Sequence, residues 1–101
     1  MHYNLALIGF GNVARSLAKL LISKKDLLKS KYDVTFSFTG ISTGRHGFAV
    51  NPNGLDIQKA LELFESGKDI SSLSTVEVKD SLSVIQNSSA NVMFENSPVN
   101  T

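Results

Sequence analysis

Gly9-Phe10-Gly11-Asn12-Val13-Ala14 follows directly on the apolar run Tyr3-Asn4-Leu5-Ala6-Leu7-Ile8 and opens a stretch of helical periodicity. An apolar run with one polar interruption, bounded by glycine, reads as a strand covered on both faces, as in a parallel sheet. Glycines at its end permit a tight turn straight into a helix. Apolar residues then recur at Val13, Leu17, Leu20, Leu21 and Leu28, widened by Ala14, Ala18 and Ile22, while Arg15, Lys19, Lys24 and Lys25 lie mostly off that stripe. The spacing predicts a helix from about Asn12 to Lys29. Lys24, Lys25, Lys29 and Lys31 gather at its end, where positive charge suits the helix dipole.

Downstream, Val34-Thr35-Phe36-Ser37-Phe38-Thr39 alternates strictly and continues to Ile41, a second strand. Residues 42–54 hold three glycines, a proline and two asparagines and read as a loop. Leu55, Ala60, Leu61 and Phe64 mark a short amphipathic helix introduced by Asn53 and Gly54 and stopped by Gly67. Lys68 to Ser89 is rich in serine, with an extended piece expected at Val76 and Val78 and a helical turn or two over Ser81–Gln86. Asn91-Val92-Met93-Phe94-Glu95 is the third main strand. Strands alternating with helices imply an α/β, Rossmann-like parallel sheet: a β-α-β-α-β core, right-handed crossovers, and helices on both faces. Ligands of such sheets bind outside the carboxyl ends of the strands, at the switch point.

A length of 101 residues gives a single domain spanning 1–101, with room for one binding site and little for a second lobe. Ten Lys/Arg against nine Asp/Glu leave a net charge of +1, too little for a broad nucleic-acid face. No apolar run reaches the roughly 18 residues of a membrane span, and Met1-His2-Tyr3 does not begin a signal peptide. The absence of cysteine removes disulfides and thiolate chemistry. The expectation is a soluble, cytoplasmic domain.

The Gly-x-Gly-x-x-Ala run stands where a phosphate cradle needs it, after the first strand and at the start of the first helix. Gly9 permits the turn, Gly11 lets a pyrophosphate approach the backbone, and Ala14 is small enough for close packing of helix on strand. The amides around Gly11, Asn12 and Val13 point at the anion with the dipole behind them. An NAD site usually carries an Asp or Glu at the end of the second strand, yet this strand ends Thr39-Gly40-Ile41-Ser42-Thr43, and Asp33 stands at the opposite end. Arg45 follows in the loop, where a guanidinium suits a 2′-phosphate, with Ser42 and Thr43 as added hydroxyls. The reading favours NADP, with NAD the alternative. Arg45 reads nearly as well as a solvated loop arginine, and His46, beside it, reads as a solvent-exposed loop histidine ahead of a contact to phosphate or adenine. The two histidines lack metal-ligand spacing, so no metal site is expected, and no general acid or base stands out.

Gly-Phe-Gly-Asn-Val-Ala-Arg at 9–15, Asn53-Gly54-Leu55-Asp56, and Val92-Met93-Phe94-Glu95-Asn96-Ser97-Pro98-Val99-Asn100 together resemble the amino-terminal NAD(P)-binding domain of homoserine dehydrogenase. The resemblance covers essentially the whole chain. It departs at Ala14, where a third glycine is usual, and in the long first helix with its Lys-rich end. It implies that Gly9, Phe10, Gly11, Asn12, Val13 and Ala14 line the pyrophosphate, that Arg45 lies near the adenosine ribose, and that Asn96, Ser97 and Pro98 border the nicotinamide ribose. It further implies hydride transfer between aspartate semialdehyde and homoserine, in amino-acid biosynthesis, by a longer relative. The lysine and acidic residues of that reaction belong to a substrate domain absent from this chain, which alone is expected to be inactive. The partners implied are a dinucleotide together with a second copy or the missing carboxy-terminal catalytic domain. The alternative is a stand-alone nucleotide-sensing Rossmann module without catalysis.

Overall fold

The structure, a computed structural model, describes residues 1–43 and 45–95. The expected alternation is present: β1 (His2–Ile8), α1 (Asn12–Ser23), α2 (Lys25–Tyr32), β2 (Thr35–Ser42), β3 (Phe48–Val50), α3 (Ile57–Glu65), a 3-10 turn at Ser71–Leu73, α4 (Ser81–Asn87) and β4 (Val92–Glu95). The sheet order is β3-β2-β1-β4. β1 lies at its centre, parallel to β2 and to β4, which accounts for the burial of Leu5 through Ile8 on both faces.

Three sequence expectations need correction. The helix from Asn12 to Lys29 is two helices, because the backbone turns at Lys24 (φ −100°, ψ 5°) before α2 runs on to Tyr32. The loop 42–54 contains β3, which folds back antiparallel on β2, so the sheet is mixed rather than wholly parallel. Gly47, at φ +88°, supplies the left-handed turn that this reversal requires. Val76 and Val78 form no strand; the backbone there tucks the Ser74 hydroxyl onto the Val50 carbonyl at 3.1 Å, and the regular structure lies earlier, at Ser71–Leu73.

The core divides by face. Leu5 and Leu7 pack with Phe10, Ala14, Ala18, Phe38, Ala60 and Leu61, beneath α1 and α3. Ile8, Val50 and Val84 pack on the opposite face, beneath α4. In α1 it is the alanines that are fully buried against the sheet: Ala14 and Ala18 are 0% exposed, Leu21 and Ile22 pack at the margin of the core half-buried, and Val13 and Leu20 are 69% and 54% exposed. Small residues there let the helix axis approach the strand, which is the role ascribed to Ala14 in the turn. Two helices start on aspartates, Asp56 accepting from the Lys59 amide and Asp80 from the Ser83 amide. The Ser83 hydroxyl and amide hold the Asp80 carboxyl below its ordinary range. Among the described residues no helix is long and apolar enough to cross a membrane.

Candidate functional site

Gly9 takes φ +98° at the end of β1, and its amide donates to the Ser42 carbonyl at 2.8 Å, tying the turn to the end of β2. Phe10 points inward, 2% exposed, and meets Phe64 of α3 edge to face at 5.1 Å. This anchor holds the turn down while Gly11, Asn12 and Val13 stay exposed above it. Gly11 is the N-cap of α1, with φ −78° and ψ −166°, and no side chain caps the helix start. The first intrahelical bond runs from the Arg15 amide to the Gly11 carbonyl at 3.0 Å, which leaves the amides of the first turn without helical partners.

Gly11 is the informative residue. Its backbone angles are open to any L-residue, and a Cβ built there meets nothing within 4 Å among the described residues. Among the described residues neither conformation nor packing calls for glycine at that position. What a Cβ removes is close access to the backbone amides from outside, as an incoming pyrophosphate needs.

The β2–β3 loop forms the other wall. The Thr43 hydroxyl accepts from the His46 amide at 2.8 Å and donates to the Gly47 carbonyl at 2.6 Å, while the His46 carbonyl accepts from the Ile70 amide at 2.8 Å. Arg45 is exposed in this fixed loop, beyond the carboxyl end of β2. His46 is half-buried rather than solvated, its ring edge-on to Phe64 at 4.9 Å. Ser42 is 3% exposed and its hydroxyl is paired with the Ser81 hydroxyl of α4 at 2.6 Å. Asp33 lies at the far end of the sheet, in the left-handed C-cap of α2, and so is remote from the turn. The expected residues Asn96, Ser97 and Pro98 lie outside the described residues; Glu95 stands opposite Ile8, one residue before Gly9.

One feature of the site was not singled out from the sequence. Phe64 gathers Phe10, His46 and Arg15, whose guanidinium carbon sits 4.8 Å above the ring. Arg15 donates to the Asn12 side-chain oxygen at 2.6 Å, and Glu65 lies 3.5 Å from Arg15 and 2.9 Å from Lys19. The Lys19 hydrogen bond, helped by the charges of Lys19 and Arg15, keeps the Glu65 carboxyl below its ordinary range. The only sequence signal for this cluster is helical spacing, which puts Arg15 and Lys19 one turn apart on the same side of α1. A separate concavity of about 380 Å³, lined by residues including Ile22, Phe36 and Asp56, stands beside the amino half of β2, away from the carboxyl ends. Among the described residues no group of three or more His, Asp or Glu side chains stands together as a metal site.

No protein-family model matches the chain. Over 98 residues it is 35% identical to a homoserine dehydrogenase of Methanocaldococcus jannaschii, an alignment taking in 96% of this chain and 29% of that protein. Over 54 residues it is 37% identical to an NAD(+)-dependent homoserine dehydrogenase of Pseudomonas canavaninivorans, covering 54% of this chain and 15% of that one. The fold matches a hyperthermophilic archaeal homoserine dehydrogenase solved in complex with NADPH, with a TM-score of 0.73 and 24% identity over 96% of this chain and 29% of the other. The chain therefore spans less than a third of the length of these relatives.

Proposed function

Homologous to the homoserine dehydrogenases over 96% of its length, this chain belongs with them as a relative of partial length, and we propose that it is their dinucleotide-binding unit. The observation that carries the reading is the open approach to Gly11, a glycine that nothing among the described residues requires. The first-turn amides of α1 receive the pyrophosphate, with the helix dipole behind them. Phe10 fixes the turn from below, and Ala14 lets α1 stand close enough to β1 to aim those amides. Asn96, Ser97 and Pro98 follow Glu95 in sequence and border the nicotinamide side. When bound, the nicotinamide supplies the hydride; residues 1–101 hold and orient it. In this reading residues 1–101 serve the dinucleotide, and the proton-transfer group and the substrate pocket for aspartate semialdehyde and homoserine belong to a separate substrate domain.

The coenzyme we assign is NADP, with NAD the weaker ligand. The named relatives include one complex with NADPH and one NAD(+)-dependent enzyme, so the support comes from this chain's own loop. β2 ends without a carboxylate to hold a free ribose, and Arg45 stands exposed just beyond it. NADPH is expected to raise the melting temperature of the chain, and NADH to raise it less at equal concentration. Arg45→Ala removes most of that difference, with roughly a tenfold loss for NADPH and little for NADH. No protection by either dinucleotide defeats the binding reading. Equal protection by both defeats the NADP assignment alone.

The second partner we infer is a protein surface against β4. Among the described residues nothing pairs with the outer edge of β4, where Met93 is 47% exposed. Beside it an apolar groove of about 230 Å³ is lined by Leu5, Leu21, Leu28, Phe36, Val92 and Phe94 among others. An open edge of this kind pairs with another chain or is covered by further residues of its own. The isolated chain is expected to self-associate in sedimentation at high concentration, and Met93→Lys to shift it toward monomer. A parent chain that stays strictly monomeric removes this surface from the proposal.

A further inference from the structure

We propose that Arg15 is a cofactor-binding residue in its own right, a cation held ready beside the glycine turn to take a phosphate oxygen of the dinucleotide. The inference rests on the dinucleotide reading above and adds a ligand to it. Arg15 lies one helical turn beyond Gly11, and its Nε donates to the Gly11 carbonyl at 3.3 Å while one terminal nitrogen donates to the Asn12 side chain at 2.6 Å. The guanidinium is therefore within hydrogen-bond distance of the very residues over which the backbone lies open. Stacking on Phe64 at 4.8 Å fixes its plane, so little side-chain entropy remains to be lost when a ligand arrives.

The fork is also under-used. A guanidinium carries five donors, and the side-chain bonds described engage three of them. The bond to Glu65, at 3.5 Å, is the longest, and Glu65 has a shorter partner in Lys19 at 2.9 Å. Arg15 is not needed to satisfy that carboxylate. Its side chain is 21% exposed, which leaves an edge open to solvent in a residue otherwise packed between α1 and α3. A structural strut between helices would have its best bond across the helix pair; here the best bond runs along α1, to the turn.

The test is a titration of the 101-residue chain and its variants with NADPH and with NADH, read by thermal protection and by dinucleotide fluorescence. Arg15→Gln is expected to weaken NADPH about tenfold while lowering the melting temperature of the unliganded chain by only a few degrees, the cost of the lost stack on Phe64, and Arg15→Lys to recover part of the affinity loss. An equal loss for NADH identifies the pyrophosphate as the contact; a loss confined to NADPH identifies the ribose phosphate. Glu65→Gln separates ligand contact from strut. If Arg15 serves the ligand, releasing it from Glu65 leaves affinity equal to or above the parent's. If Glu65→Gln weakens binding as much as Arg15→Gln, or if Arg15→Gln binds as the parent does, the assignment is overturned. Failure of the parent chain to bind either dinucleotide instead condemns the dinucleotide reading itself.

Discussion

Gly11→Val is expected to abolish dinucleotide binding while leaving the fold standing. The affinity loss should be at least about a hundredfold, or roughly 2.8 kcal/mol, because two methyl groups then stand over the first-turn amides. The unliganded chain should lose less than about 1 kcal/mol, since position 11 is an N-cap without a side-chain bond, its φ of −78° suits valine, and the added Cβ meets no atom of the described residues within 4 Å. Binding measured by fluorescence and stability measured by denaturant unfolding should therefore part company. If both fall together, position 11 is a packing glycine and the open approach described above is lost as evidence. If neither falls, the dinucleotide, where it binds, does not come near the turn.

The reverse pattern is expected at Gly40. A Cβ there lies 2.8 Å from the Ser88 Cβ and 2.9 Å from a Val84 methyl carbon, both fully buried, Val84 in the middle of α4 and Ser88 at its C-cap. Neither neighbour has a flexible end to move aside, so Gly40→Val forces α4 off β2. The cost is about 3 kcal/mol, the upper part of the range for overpacked cores. For a domain of this size that lowers the melting temperature by roughly 12–24 °C. An unchanged melting temperature would mean that α4 does not lie against β2, and with it the helix coverage of that sheet face would be wrong. The turn itself stands elsewhere, so dinucleotide affinity measured well below the melting temperature should be retained.

These two glycines show where sequence reading succeeds and where it stops. Gly11 was legible because its role is local: a strand, a turn and a helix start lie within a dozen consecutive residues, and the spacing alone places an unsubstituted backbone at the helix mouth. Gly40 carries no such signal. It sits where β2 slips by one residue against β1, with Leu5 opposite Phe38 but Ala6 opposite Gly40, and it is needed because α4, more than forty residues later, presses on it. A glycine inside a strand marks a bulge or a close approach, but the sequence does not say to what.

The same division runs through the other elements. α3 was placed by its period and its stop at Gly67, and β4 by its apolar run, since both signals are contained in the segment. β3 was missed, because three residues are too few to show a period and Phe48–Val50 becomes a strand only by pairing with β2. The break at Lys24 was missed because the apolar stripe crosses it without interruption. The Phe64 cluster was invisible for another reason: Phe10, Arg15, His46 and Phe64 belong to separate segments.

By itself the sequence determined the β-α-β beginning, the exposed helix start and the absence of a carboxylate at the end of β2, since each depends on neighbours in the chain. Only the tertiary structure decided which residue of α1 touches the sheet, what Gly40 is pressed against, and that Arg15 lies stacked beside the turn. Contacts of that kind join residues far apart in sequence. Their geometry is fixed by how helices settle on a twisted sheet, which no local pattern records.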